Sequence, residues 1–422
     1  MWDKLKQAWN VREVRNGILF TIAMMMLFRF VANIPIPGIN LIALRTFIEG
    51  NKALGLLNLF SGGTIRNFSI VAMGVAPYIT ASIIMQLMGM IVPKIDEIQK
   101  DGEAGRRRIN QWTRLITVPL AIIQSFGIIA LLRQSSVPIL TTHDPLHIVM
   151  IIATITAGTM FLMWLGELIQ EKKVGNGMSL LIAAGILADL PTHFSQFTAT
   201  FTGGTQDWLT IFLYAAVAVG MIIGVVFVTE GQRNIPIQYA RQVRGASADT
   251  TLPLRINMVG VIPIIFAISI LLFPTLIAQF LVVAKTPWIA SAARWVTVTL
   301  QDQWVYGILY LLLTIGFTYF YTSIVFQPDK IAENLQKQGA FVPGVRPGKA
   351  TSDYLNTVIE RVTLGGAIFL GVVAVMPLIA QAFTGTQTLA LGGTSLLIVV
   401  SVVIEAVKQI ESQVTMRQYD AY

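Results

Sequence analysis

The chain has 422 residues, of which 54% are hydrophobic and only 12% charged, with no cysteine and a formal net charge of +8. A soluble protein of this length carries about twice that share of charge to cover its exterior, so soluble globular, disordered, collagen-like and disulfide-stapled classes are excluded. With a mean hydropathy of +0.67 and long apolar runs recurring throughout, the sequence reads as a polytopic membrane protein.

A membrane span needs about 20 helical residues. Ten runs with at most one charged residue emerge: 17–32, 71–93, 115–132, 146–166, 178–190, 208–228, 257–283, 304–326, 362–383 and 390–406. The first ends in Phe28-Arg29-Phe30 with no small-residue cleavage site, so it reads as a span and not as a cleavable signal. Before the second lies Leu57–Ser69, half apolar and broken by Gly62-Gly63. It is too short to cross and too apolar to float, which fits either a re-entrant segment buried in protein or an amphipathic turn lying on the surface. The fifth run has only 13 residues and is expected to begin earlier, near Val174. Val75, Ile79 and Ile83 are spaced by four and share a helix face, as do Ile182 and Ile186; such stripes ordinarily face lipid or pack. Gly220 and Gly224 form a GxxxG in the sixth run, a mark of close helix packing.

Of the 30 Lys and Arg residues, 23 fall in the N-terminus, the even-numbered loops and the C-terminus. The positive-inside rule then places both termini in the cytoplasm. Ten spans from such a start put the first five and the last five in opposite orientations, which leaves room for an inverted pseudo-repeat of halves 1–190 and 191–422. Two even loops, about 229–256 and 327–361, combine Pro/Gly turns with Arg233, Arg241, Arg244 and Arg255 in one and Lys330, Lys337, Arg346 and Lys349 in the other. They read either as a docking platform for an anionic partner or as plain topology signals.

The spans lack the mid-membrane carboxylates of ion-coupled transporters. Glu167, Asp189, Glu230 and Glu405 sit near span ends, where interfacial or capping roles are the ordinary reading, and His143, His147 and His193 lie at or near outer loops. HExxH, GxSxG and paired intramembrane aspartates are absent. The stretch Pro343–Ala350 fails as a phosphate loop, with proline where the first glycine belongs and alanine in place of the magnesium-binding hydroxyl. No catalysis, cofactor or metal is expected.

Ten strings, in order, carry a resemblance over essentially the whole chain: Ile34-Pro-Ile-Pro-Gly38, Leu57–Gly63, Ala76–Ile83, Gly105–Arg108, Gly158–Glu167, Gly175–Ile182, Ile235–Ala240, Leu252–Ala267, Gly339–Gly348 and Gly392–Val399. By these the sequence resembles the SecY family of bacterial protein-conducting channel subunits. The resemblance implies ten transmembrane helices, all-α, in two five-helix halves around an hourglass pore. It implies a plug at about 57–67, comprising Leu57, Asn58, Leu59, Phe60, Ser61, Gly62, Gly63, Thr64, Ile65 and Arg66. It also implies an aliphatic pore ring at Val75, Ile79, Ile186, Ile265 and Ile398, with Ile182 nearby. A lateral gate would involve Pro77, Ile83, Gln124, Pro263 and Phe266, the two prolines softening their helices; Arg241, Arg244, Arg346 and Lys349 would dock partners. Val75 stands where isoleucine is commoner, and Gly245–Thr250 lacks the basic cluster often found at that loop tip.

The partners so implied are SecE and SecG in a heterotrimer, the SecA ATPase or the ribosome, signal peptides with their precursor or nascent polypeptides, and membrane lipids. The function implied is passage of unfolded polypeptides across the inner membrane, with lateral release of apolar segments into lipid. The rival readings are an ion-coupled small-solute transporter and a non-conducting membrane scaffold.

Overall fold

The computed structural model describes residues 9, 11–50, 58, 61–133, 138–140, 144–202, 208–239, 250–282, 286–384 and 387–420. Each of the ten apolar runs supplies a helix. In chain order these are α1 (Arg12–Ala32), the short α2 (Leu41–Gly50), α3 (Ala76–Ile91), α4 (Pro93–Lys100), α5 (Gly102–Arg133), α6 (Pro145–Glu171) and α7 (Gly177–Thr202). There follow α8 (Trp208–Glu230), β1 (Gln232–Tyr239), β2 (Thr250–Arg255), α9 (Ile262–Leu281), α10 (Pro287–Gln301) and α11 (Gln303–Val325). The chain continues through α12 (Pro328–Lys337), β3 (Ala340–Phe341), α13 (Lys349–Thr384) and α14 (Gln387–Asp420). Among the described residues, five helices are long and apolar enough to cross a membrane, and the α3–α4 pair, bent by 108° at Val92, makes a sixth.

Local chemistry explains the boundaries. Asn40 Oδ1 accepts from Ile42 N and Ala43 N and so opens α2, and Asp144 Oδ1 accepts from Leu146 N at the start of α6. The fifth span departs from expectation. It begins at Gly177, not near Val174, because Lys173 adopts φ 57° and Asn176 Oδ1 caps the Met178 and Ser179 amides. Its missing length lies at the other end, where the helix runs through Pro191 to Thr202 and across the 190/191 boundary. The second span also starts later than its apolar run, because residues 70–75 are turns.

The chain divides into two compact units: Met1–Gln206, Ser269–Gln303 and Val402–Tyr422 in the first, Asp207–Ile268 and Trp304–Ser401 in the second. In the first, α5 packs on α3 and α6, α6 on α7, and α1 lies against α6 and α7. A bidentate pair joins α5 to α6, with Arg114 Nε 2.8 Å from Glu167 Oε1 and Nη2 2.7 Å from Oε2. Val14 of α1 and Val414 of α14 form a small apolar cluster.

In the second unit α8 packs on α13, where Gly224 lies beside Phe369, while Gly220 meets no neighbour. Among the described residues, the sixth and eighth loops depart from an all-helical plan. β1 and β2 pair antiparallel from Gln232↔Arg255 to Ile237↔Thr250, and β3 joins the other edge of β1 at Gln238↔Phe341 and Tyr239↔Ala340. Pro236, which has no amide hydrogen, falls where β3 does not reach. Ile235 and Ile237 point to the buried face at the two-residue period of a strand. Ile235 clusters with Leu254, Val342, Leu355, Val358 and Ile359, and Ile237 with Leu335 and Ala340, so both loops fold with the start of α13 into one body.

Candidate functional site

Residues 61–75 form consecutive turns packed inside the first unit. Ser61, Thr64, Ile65, Phe68, Ser69, Val71, Ala72, Met73 and Val75 are all buried. This decides between the two readings of the segment: it is enclosed by protein and does not lie on the surface. Buried backbone outside helix or sheet needs its polar groups satisfied locally. Asn58 does much of this, its carbonyl accepting from Gly63 N at 2.8 Å and from Ser61 Oγ at 2.9 Å, and its Oδ1 from Arg66 N at 2.9 Å. Thr64 Oγ1 lies 2.9 Å from Ser61 O and 3.0 Å from Ala72 O, tying the two arms of the turn. Ile36 N donates to Phe68 O and Ile70 N to Ile34 O, which fastens the segment to the Ile34–Gly38 stretch.

The seat is cut for glycine. Gly62 and Gly63 take φ of 73° and 79°, in the left-handed region that a side chain disfavours. Gly62 lies against Phe28 of α1 and Gly185 of α7 so closely that a Cβ on either glycine would press on the other's backbone. On α6, Gly158 leaves room for the carbonyl of Ile70. Ser61, Gly74 and Val75 of the segment line a small space together with Phe28, Leu162, Leu181 and Ile182.

Of the ring candidates, Val75, Ile79, Ile182 and Ile186 belong to the first unit and are buried, as are Ile265 and Ile398 in the second. Asn58 and Ser61 to Arg66 are placed as described; Leu57, Leu59 and Phe60 lie outside the described residues. Ile83 is buried and Gln124 half-buried. Phe266 stacks edge-on against Phe317 and Tyr321 of α11, with ring centroids 6.0 and 5.8 Å away.

The prolines require a correction. Pro77 and Pro263 each occupy the second residue of their helices, where the amide has no intrahelical partner to lose, so neither softens a helix interior. Prolines inside helices include Pro119, Pro191 and Pro274.

Arg346 and Lys349 are exposed at the turn between β3 and α13. That turn is built by Gly344 and Gly348 at φ of 82° and 96°, and Thr351 Oγ1 donates to Arg346 O at 2.8 Å. On α12, Glu333 accepts from Lys337 at 2.7 Å; the hydrogen bond first, then the lysine charge, holds its carboxyl below the ordinary range. Arg241 and Arg244 lie outside the described residues.

One polar contact at this segment escaped the sequence reading. Arg29 Nη1 donates to Gly62 O at 2.9 Å, and Nη2 lies 3.5 Å from Asp189 Oδ1. The only signal was the coincidence of opposite charges at the ends of the first and fifth apolar runs.

A polytopic helical protein that seats a glycine-broken, turn-built segment on buried aliphatic residues has the architecture of a plugged membrane channel. The family model for SecY matches residues 69–407, and the chain belongs to that family. It is 42% identical to a protein translocase subunit SecY of Halalkalibacterium halodurans, over 100% of both chains. It is 41% identical to one of Staphylococcus aureus, over 100% of this chain and 99% of the relative. Among solved structures the fold is similar to one described as a protein conducting channel, with TM-score 0.65, 18% identity, and 93% and 90% of the two chains covered. It is likewise similar to canine Sec61 in a ribosome-channel complex, with TM-score 0.62, 16% identity, and 93% and 90% covered.

Proposed function

We infer that this chain is the channel subunit of a protein translocase, passing unfolded polypeptides through its own interior. The observation that carries the reading is the turn-built stretch at 61–67, enclosed by protein yet outside helix and sheet, with Gly62 packed against Phe28 and Gly185. Such a segment can leave its seat without unravelling a span. In this reading it is the plug of a two-half channel (1–190 and 191–422), and Val75, Ile79, Ile182, Ile186, Ile265 and Ile398 form the ring around the moving chain. Aliphatic side chains offer a substrate no polar partner to hold it, and a narrow apolar gap disfavours water and ions.

The lateral gate carries over to Ile83, Gln124, Phe266 and the first-turn prolines Pro77 and Pro263. Through it the bilayer itself sorts segments, since apolar runs gain free energy in lipid and charged ones lose it. The folded body of β1–β3, α12 and the start of α13, with Arg346 and Lys349 exposed, supports docking of a cytoplasmic partner, SecA or the ribosome. SecE and SecG complete the heterotrimer, and the 23 basic residues on one side support an inner-membrane protein with both termini in the cytoplasm. The protein catalyses no reaction in this scheme; the energy comes from the partner and the membrane potential. The small-solute transporter is set aside because the chain belongs to a family of translocase subunits.

The test is site-directed cross-linking in the reconstituted complex, with a photoreactive residue placed at Ile79 or Ile186. A translocating precursor should cross-link there during transit and not before. Cross-links confined to lipid or partner subunits throughout transit would overturn the channel reading.

A further inference from the structure

We propose that Arg29 and Asp189 form the latch that holds the plug in its closed position, with Asp189 acting as a positioning residue for the Arg29 guanidinium. The proposal rests on the plug reading of the segment at about 57–67 and adds to it the residues that set where the plug stops.

The two charges come from different helices, α1 and α7, 160 residues apart in sequence, and they meet beside Gly62 and Gly63 of the plug. The guanidinium is planar and presents its donors in a fixed fork. Its Nη1 reaches the carbonyl of Gly62 at 2.9 Å, a charge-assisted bond to the moving element. Its Nη2 faces Asp189 Oδ1 at 3.5 Å, a looser pair between two fixed helices. The carboxylate fixes the plane of the fork, so that the other arm points at Gly62. It also acts by shape, because the Asp189 carboxylate occupies the space that a side chain on Gly63 would need. Gly62 is thus held from one side and Gly63 is covered from the other.

The strength suits a catch that must release. Both side chains keep about a quarter of their surface in contact with solvent, 28% for Arg29 and 24% for Asp189, so the pair is screened and modest. When the plug leaves, Arg29 loses Gly62 O but keeps Asp189, and no charge is stranded. The nearest alternative, a pair that only braces α1 against α7, would contribute equally whether or not the plug is present.

That difference defines the experiment: resting ion conductance of the complete complex in planar bilayers, for Asp189→Ala, Asp189→Glu and Arg29→Lys, each in the full chain and in a variant lacking residues 57–67. The expected result for Asp189→Ala in the full chain is a rise of about tenfold, equivalent to about 1.4 kcal/mol. Arg29→Lys should act in the same direction, because a lysine has no fork to aim, while Asp189→Glu should retain most of the seal. In the plug-deleted variant, already leaky, Asp189→Ala should add nothing. An unchanged full chain beside a leaky deletion would overturn the latch and leave the plug. Equal rises in both backgrounds would reduce the pair to an interhelical brace and overturn the latch. A deletion that raises no leak at all would overturn the plug reading, and the latch with it.

Discussion

Replacing Gly185 by alanine separates the stability of the plug's seat from the stability of the helix beneath it. An ideal Cβ at this position lies 2.8 Å from Gly62 O and 2.9 Å from Gly62 C, with the Gly62 Cα nearer still. Favourable carbon contacts begin near ~3.5 Å, so the plug must rise by more than about half an ångström or α7 must shift. Overpacking of this kind costs about 1–3 kcal/mol. That cost falls only on the closed state, because the clash disappears when the plug departs, and it shifts the closed-to-open ratio by roughly 5–150-fold. Alanine also improves helix propensity over glycine by about 1 kcal/mol, a gain that α7 keeps in both states. The two effects therefore have opposite signs in two assays. Resting conductance in planar bilayers should rise, while the melting temperature of the purified complex should hold or increase. Leu187→Ala, at a side chain 45% exposed on the same helix, should leave conductance alone. A Gly185→Ala channel as tight as the parent would refute the seat, and a leak accompanied by a fall in melting temperature would mean general loosening instead.

Replacing Ile79, Ile186, Ile265 and Ile398 together by serine should raise resting conductance without abolishing translocation, since the ring excludes ions by its apolarity; an unchanged conductance would argue against the gasket. Arg346→Glu should abolish partner-driven translocation in inverted vesicles and leave resting conductance unaltered, because the residue is exposed on a turn far in sequence from the plug. Ile235→Ala removes a side chain only 1% exposed at the root of the hairpin, and a loss of about 2–5 kcal/mol there should appear as faster tryptic cleavage within 229–256. Glu167→Gln breaks the Arg114 pair, whose side chains are 21% and 47% exposed, and should cost no more than about 1 kcal/mol in thermal melts, shrinking at high salt.

What the sequence made legible follows from which physics acts locally. Span number came from apolar length alone, and every one of the ten runs supplies a helix. Where a boundary depended on a single side chain, run length misled: Asn176 caps α7 and sets its start at Gly177, which no count of apolar residues reveals. Pro77 and Pro263 looked like interior kinks only because the second and seventh apolar runs extend upstream of their helices. The β1–β2 hairpin was hidden inside a basic loop, although the alternation of Ile235 and Ile237 carried the strand period. The enclosed plug was half legible, since Gly62-Gly63 and the apolar content of 57–69 marked a segment with nowhere to go in water or lipid. The Arg29–Asp189 pair was not legible, because a contact across 160 residues leaves no local pattern.

The chemistry of the plug's seat also explains why a seal can be both tight and easily broken. A plug held by apolar burial alone would lose on opening about 25 cal/mol for each Å² exposed, with nothing in an aqueous channel to offset it. Hydrogen bonds also contribute: Asn58 with Ser61, Gly63 and Arg66 and Thr64 with Ser61 and Ala72 brace the segment internally, while Arg29 with Gly62, Ile36 with Phe68 and Ile70 with Ile34 tie it to its surroundings. In the closed state those bonds are obligatory, since the segment forms neither helix nor sheet and its polar groups are shut away from water. In the open state water replaces each partner, so the net cost per bond is only about 0.5–1.5 kcal/mol. Most of the internal bonds can travel with the plug, whereas the Arg29–Gly62 bond crosses from plug to helix and must break. In the plug reading, part of the energy that distinguishes closed from open falls at the seat, on Arg29, Gly62 and Gly185, beside the bonds to the Ile34–Gly38 stretch. Single substitutions at the seat are therefore direct probes of the closed state.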